Sequence, residues 1–430
     1  MQNSKQVFIT AFALFSLFFG AGNLILPPFL GYNSGQDWGL VFFGFILSAV
    51  CIPILAIYGH ARLQGSLLDF GKKVSPKFAL LFGILIYVVS ISLPAPRTAS
   101  VTHEMAVAPY FSISSLWTST LYFLLVLVIS LNRSRVMDII GKFLTPLILG
   151  ILLLIIAIGL SSDTVIVKAS IFENTFTSGI LEGYQTFDAI GGIVVGGVIV
   201  ISLSFQSQLS YIEKKAIITK SGILAGVALI LMYLGLIALG AHYSAFNEVT
   251  ERAQFLSLLS TKSLGNMGTV FLAVLVSLAC FTTAVGVVTG TADFVKGISN
   301  NSQMAFKITV IAGCLIGVLM GQLPVSDIIM IAFPALVLLY PITIVLIILN
   351  VLPVKWSSKF IFRGVVFVTF LFSIPDFLGA ISSEINLEGI KKLIPLSNQN
   401  MGWVLPAVVT FILLNFFQKT NHSEAFLEEN

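Results

Sequence analysis

The stretch Phe18-Phe19-Gly20-Ala21-Gly22-Asn23-Leu24-Ile25-Leu26-Pro27-Pro28 lies inside the first long apolar run of the chain and carries every residue type that interrupts a helix. Gly20 and Gly22 let the backbone leave helical geometry without steric cost, and Pro27 and Pro28 cannot donate to the turn before them. In hydrocarbon an interrupted helix leaves amides and carbonyls without partners, so it persists only where it lines a cavity or holds a ligand. A half-helix that begins at the break presents N–H groups and a positive dipole end, which suit a carboxylate. The half-helix that ends there presents carbonyl oxygens, which suit a hard cation such as sodium. Asn23 adds a side-chain amide between them. The plainer reading is close helix packing, for which Gly-x-Gly is also used in membranes.

The rest of the chain supplies the membrane. Of 430 residues, 57% are hydrophobic and 10% charged, where soluble domains carry about a quarter charged residues. Runs of roughly 20 apolar residues, each long enough to cross a bilayer, recur from end to end. They are Phe8–Leu30, Leu40–His60, Phe78–Leu93 with an extension towards Ala108, Leu116–Leu131, Phe143–Leu160, Phe187–Leu209, Ile217–Ala241, Val270–Val288, Ile308–Met320, Ile328–Leu349, Ile361–Ile374 and Trp403–Phe417. The expected class is an all-α integral membrane protein with about 12 transmembrane helices. The first run lacks a short small-residue cleavage site and is followed by further spans, so it is expected to be retained. Every hydrophilic interval is short, which implies a single polytopic membrane domain over residues 1–430. Cys51, Cys280 and Cys314 all fall in apolar runs and read as buried small hydrophobes, with no disulfide or metal spacing.

Cytoplasmic loops collect Lys and Arg. With the N-terminus inside, the inner segments hold Lys5, the group from Arg62 to Lys77, Arg133, Arg135, Lys142, Lys214, Lys215, Lys220, Lys296, Lys307, Lys355, Lys359, Arg363 and Lys419. The outer segments keep Arg97, Lys168, Arg252, Lys262, Lys391 and Lys392. This bias predicts both termini in the cytoplasm. The net charge of +4 therefore reflects membrane orientation, and no basic stretch is interleaved with aromatics as a nucleic-acid surface would be. The acidic tail from Glu424 to Glu429 reads as a solvated end.

Two further segments carry polar chemistry. Tyr184-Gln185-Thr186-Phe187-Asp188-Ala189-Ile190-Gly191-Gly192 opens the sixth run. Asp188 there is either an intramembrane carboxylate with a function or a hydrated residue capping the span at the outer interface. Gly191, Gly192, Gly196 and Gly197 permit a second break or close packing. Ala279-Cys280-Phe281-Thr282-Thr283 in the eighth run offers two adjacent hydroxyls, either as oxygen ligands for sodium or bonded back to their own helix. No zinc-type histidine pair, nucleophile elbow or phosphate loop is present, so the chain does not read as an enzyme and needs no cofactor. Four spans separate the two candidate breaks. That spacing allows a five-span unit to repeat, inverted, as in transporters that bind substrate at the midplane between broken helices, though the residues themselves show no repeat.

With the span count and the segment Pro94-Ala95-Pro96-Arg97, the motif Phe19-Gly20-Ala21-Gly22-Asn23-Leu24-Ile25-Leu26-Pro27-Pro28 resembles the bacterial branched-chain amino acid:cation symporters, the BrnQ-type carriers. The resemblance implies the leucine-transporter-type fold, with two inverted five-helix repeats over 7–161 and 183–350 and two additional helices over 360–418. It also implies import of leucine, isoleucine and valine with sodium across the bacterial cell membrane, with no obligatory protein partner. By the same resemblance, the amides of Gly20, Ala21 and Gly22 hold the substrate carboxylate. Tyr184, Gln185, Thr186 and Phe187 meet its amino group and side chain. Sodium sits between Ser16 and Phe19 on the first span and Ala279, Thr282 and Thr283 on the eighth, with Asn23 where some relatives place a second sodium. Proton-coupled relatives replace that sodium with a lysine inside the fifth span; Phe143–Leu160 has none, Lys142 standing at its end. The competing expectations are a proton-coupled or other neutral amino acid transporter of this fold, and an amino acid sensor that moves nothing.

Overall fold

The structure, a computed structural model, describes residues 2–132, 144–161, 167–206, 209–245, 251–381 and 388–428. Arg133, Arg135 and Lys142, counted above with the inner segments, lie outside the described residues. All regular structure among the described residues is helical, as hydrocarbon demands, because a helix satisfies its own backbone within one segment.

The first crossing is two helices, α1 (Gln2–Phe18) and α2 (Ala21–Ser34). The second is α3 (Trp38–Ile46) continuing through a π-turn into α4 (Ile52–Leu63). After the short α5 (Leu67–Gly71), the third crossing runs through α6 (Pro76–Ser92) and α7 (Pro94–Thr102), ending in a π-turn over His103–Val107. Then follow α8 (Ser115–Leu131) and α9 (Thr145–Leu160). The sixth crossing is again two helices, α10 (Thr175–Tyr184) and α11 (Asp188–Gln206). Next come α12 (Tyr211–His242), the connecting helix α13 (Arg252–Leu264), α14 (Asn266–Ile298), α15 (Gln303–Met320), α16 (Val325–Val351), α17 (Lys359–Ile381), a short α18 (Glu388–Leu393) and α19 (Val404–Glu428). Counting each interrupted crossing once, the apolar helices among the described residues make twelve crossings, in line with the expected number of about 12. Large apolar side chains point outward, Leu125 at 61% exposure and Leu319 at 68%; in a bilayer these faces meet lipid.

The sixth crossing differs from its expected bounds. Its first half, α10, precedes the apolar run because Thr177, Ser178 and Glu182 dilute its hydropathy. The segment from Tyr184 to Asp188 consequently lies in the middle of a crossing, and Asp188 is buried rather than hydrated at an interface. Arg97 and Glu104, which the sequence leaves open between an extended third span and an outer loop, lie within the third crossing. Arg97 thus leaves the set of outer-loop cations: it is 3% exposed in α7.

The chain divides into two packed units, Met1–Ser66 with Tyr87–Met330, and Leu67–Ile86 with Ile331–Asn430. In the first, α12 packs on α1 and α2, α11 on α4, α10 on α3, and α14 on α7 and α15. Gly192 and Gly196 serve close packing, against Pro53 and Ala56 and against the buried ring of His60 respectively, and the break falls before them. The second unit packs α17 against α19, and Asn350 Nδ2 donates to the Phe70 carbonyl at 3.0 Å.

Glycine brings α2 and α12 into backbone contact. A Cβ on Gly240 would collide with the Pro28 carbonyl oxygen, and one on Gly31 with that of Ile237. The obstacle is main chain in both cases and cannot rotate aside. Gly240→Ala is expected to lower stability by about 1–3 kcal/mol, the usual range for overpacking, read as an earlier thermal transition in detergent. An unchanged transition would show that the two helices can separate at no cost.

Candidate functional site

Both breaks are built from local chemistry. In the first, the last helical bond of α1 runs from Phe19 N to Phe15 O at 2.7 Å, Gly20 N turns back to Phe18 O at 2.8 Å, and Gly20 is extended, with φ −112° and ψ −157°. Asn23 then caps its own helix, its Oδ1 accepting from Gly20 N at 3.3 Å. In the second break, α10 ends in a tightened turn, with Thr186 N bonded to Gly183 O at 3.3 Å and Phe187 N to Tyr184 O at 3.1 Å. Phe187 takes the left-handed conformation, φ +64°. A bulky side chain seldom adopts that backbone, and such strain gathers at functional sites.

The breaks meet. Asn23 Nδ2 donates to Asp188 Oδ2 at 2.6 Å and to the Tyr233 hydroxyl of α12, so both of its amide hydrogens are used. Tyr233 hydrogen-bonds the same carboxylate. Asn23, Asp188 and Tyr233 are 2%, 3% and 0% exposed. A carboxylate at that depth depends on such donors, because burial without them costs several kcal/mol.

Arg97 closes the opposite side. Its Nη1 donates to the Gln185 carbonyl at 3.0 Å, its guanidinium lies 5.8 Å from the Phe187 ring centroid, and its Nη2 lies where a Cβ on Gly22 would stand. Gly22 is therefore glycine because the guanidinium needs that space. Arg97 Nε, buried, has no partner among the described residues. Between these groups is a cavity of about 40 Å³, lined among others by Gly20, Gly22, Asn23, Thr186, Asp188 and Thr283.

Beside the cavity, α14 reaches the end of α1. Thr282 Oγ1 lies 2.8 Å from the Ser16 carbonyl and 2.9 Å from the Ala279 carbonyl, its one proton shared between them, and Thr283 Oγ1 donates to the Leu17 carbonyl at 3.3 Å. A Cβ on Gly20 would come within 2.5 Å of Thr283 Oγ1. Ser16 Oγ is buried with no partner among the described residues. The result is a cluster of uncharged oxygens of the kind a hard monovalent cation accepts. Among the described residues no three His, Cys, Asp or Glu side chains gather.

Of the residues singled out in the sequence, Gly20, Ala21, Gly22, Asn23, Thr186, Phe187 and Thr283 line the cavity, and Ser16, Ala279 and Thr282 adjoin it. Three others lie off its wall. The Phe19 ring stacks on Phe15 at 5.0 Å and on Tyr233 at 6.0 Å. Tyr184 is buried at the end of α10, and Gln185 gives its carbonyl to Arg97. Sequence reasoning missed Arg97 and Tyr233 as parts of the site. A proline-started helix carrying one arginine among small residues was the available signal for the first, and Tyr233, inside a long apolar helix, had none.

Comparison with known proteins agrees with this architecture. Residues 3–421 match the sequence profile of the family described as branched-chain amino acid transport protein. A Pseudomonas aeruginosa protein named branched-chain amino acid transport system 2 carrier protein is 32% identical over 94% of this chain and 93% of its own. The branched-chain amino acid permease BrnQ of Bacillus subtilis is 30% identical over 97% of this chain and 99% of its own. Among solved structures, Mhp1, a nucleobase-cation-symport-1 family transporter in a closed conformation, superposes with a TM-score of 0.62 at 13% identity, covering 95% of this chain and 91% of that one. MhsT in complex with L-phenylalanine gives 0.56 at 16% identity, covering 94% and 97%. The fold is the leucine-transporter type.

The Asn23–Asp188 bond has a measurable consequence. Asn23→Ala leaves the carboxylate short of a donor, at an expected cost of about 1–3 kcal/mol. In a double-mutant cycle with Asp188→Asn, thermal unfolding in detergent is expected to show coupling of about 0.5–3 kcal/mol. Additive effects would mean that the contact does not join the two crossings.

Proposed function

The chain belongs to the family of branched-chain amino acid transport proteins, and within it we propose a symporter that imports leucine, isoleucine and valine with sodium by alternating access. The observation that carries this reading is the meeting of two interrupted crossings at a buried polar cavity, with the oxygens of Ser16, Ala279, Thr282 and Thr283 gathered beside it. The amides of Gly20, Ala21 and Gly22 at the start of α2 receive the substrate carboxylate with Asn23 beside them, Gly20 N giving up its bonds to the Phe18 carbonyl and Asn23 Oδ1. The second break receives the amino group and side chain through Thr186 and Phe187, which line the cavity, with Tyr184 and Gln185 behind them. Sodium binds the carbonyls of Ser16 on α1 and Phe19 just past its end, with the Ala279, Thr282 and Thr283 oxygens on α14, the threonine protons turning away as it enters. Bound there, it bridges the first and eighth crossings, so the ion and the amino acid stabilise one arrangement of the same break.

At about 40 Å³ the cavity is far smaller than the roughly 150 Å³ that admits a benzene ring. Leucine enters only if the walls part, and the two breaks are where the crossings can bend. We read 7–161 and 183–350 as the inverted repeats that rock about this point, with 360–418 as additional helices. The host membrane is the bacterial cell membrane, with both termini cytoplasmic. An apolar pocket separates side chains differing by one methylene by only about 10–200-fold, so overlapping uptake of the three amino acids follows.

Uptake by proteoliposomes tests the reading. An inward sodium gradient is expected to drive leucine accumulation above equilibrium, competed by isoleucine and valine. Accumulation under a proton gradient alone would assign the proton as coupling ion, and binding without net flux would make the protein a sensor. Thr282→Ala and Thr283→Ala should each raise the sodium needed for half-maximal uptake by about tenfold, the loss of one ligand bond worth roughly 1.4 kcal/mol. Unchanged sodium dependence in both would remove the cation from this place. Gly20→Leu should abolish leucine binding while the protein still inserts.

A further inference from the structure

Arg97 and Asp188 present a puzzle that transport by backbone amides leaves unsolved. Both are almost fully buried inside membrane crossings, 3% exposed each, and both line the same cavity. Ions at such depth are costly and are normally paired. Yet among the described residues neither has an oppositely charged side chain within ion-pairing distance. Arg97 spends one N–H on the Gln185 carbonyl and keeps an unpartnered Nε, out of five donors in a planar fork matched to carboxylate. Asp188 accepts from neutral donors, Asn23 and Tyr233, and a carboxylate has about four acceptor sites. One buried guanidinium and one buried carboxyl group, on different crossings and facing one small space, match the two ends of an α-amino acid.

We propose that Arg97 takes the carboxylate and Asp188 the ammonium of the substrate zwitterion, so that the pair selects for the α-amino acid head group while the rest of the cavity meets the side chain. The proposal rests on the amino acid transport reading and adds two charged residues to a site otherwise made of backbone. It gives Gly22 a definite role, because any side chain there displaces the guanidinium. It also explains the strained Phe187, which holds its ring against Arg97 and starts the helix on which Asp188 is the first residue.

The experiment is equilibrium competition against labelled leucine on the purified full-length protein, with leucine, leucinamide, which lacks the carboxylate, and isocaproate, which lacks the amine. In the wild-type protein both analogues should bind at least about 100-fold more weakly than leucine, as expected when a buried polar group loses its partner. Either analogue binding within about threefold of leucine overturns the proposal without any variant. Arg97→Gln should reduce leucine affinity towards that of leucinamide while leaving leucinamide affinity unchanged. Asp188→Asn should do the same for leucine relative to isocaproate. A merely structural role would weaken leucine and its analogue alike, preserve the ratio and overturn the assignment. If the wild type instead binds a different α-amino acid, the branched-chain reading fails alone, and the amide and deamino analogue of that amino acid test the head-group pair in the same way. A protein that binds no α-amino acid contradicts both.

Discussion

A hydrogen bond of 2.6 Å from the Asn23 amide to the Asp188 carboxylate holds together the two places where the chain abandons helical geometry. Neither break is stable alone in hydrocarbon, where each unpaired backbone group costs several kcal/mol. Joined, they share their solutions: Asn23 caps the start of α2 with its oxygen and reaches α11 with its nitrogen, and Tyr233 braces both from α12. The close approach of α12 to α2 through Gly31 and Gly240 keeps Tyr233 within reach. Helix packing and site geometry are thus one construction.

Much of this was legible in the residues. Gly20, Gly22, Asn23 and Pro27-Pro28 announce a break because each is unfavourable inside a membrane helix for a different reason, and the structure puts the break between Phe18 and Ala21. The hydroxyls of Thr282 and Thr283 were readable as candidate oxygens, and they do meet carbonyls of α1. What escaped was long-range. Asp188 stayed undecided because hydropathy began the sixth crossing too late, the polar half-helix α10 being invisible to an apolar window. Arg97 counts with the outer segments, its place between the third span and a loop left open, because a tally of positive charge treats every arginine as solvated. Only tertiary structure reveals a guanidinium folded against a glycine on another crossing.

In the proposed cycle the small cavity and the half-buried ion pair between Arg252 and Glu182, 2.9 Å long and joining α13 to α10, belong to a closed arrangement. Arg252 also lies over the Phe29 ring of α2 at 5.8 Å, so α13 is held to the second half of the first crossing and the first half of the sixth. Opening would release these half-helices, while the oxygens at the end of α1 stay with α14. In this cycle ion and substrate would be coupled through the interrupted backbone that both are proposed to contact, because ligands that favour one state of a shared element raise each other's affinity.

That coupling is the central claim, and equilibrium binding measures it most directly. Calorimetric titration of leucine into the purified protein across a sodium series should show affinity rising with sodium, and titration of sodium with and without leucine should return the same factor, as linkage requires. Equal leucine affinity in sodium and in choline would contradict the account, since the ion and the amino acid would then not share the break at Gly20.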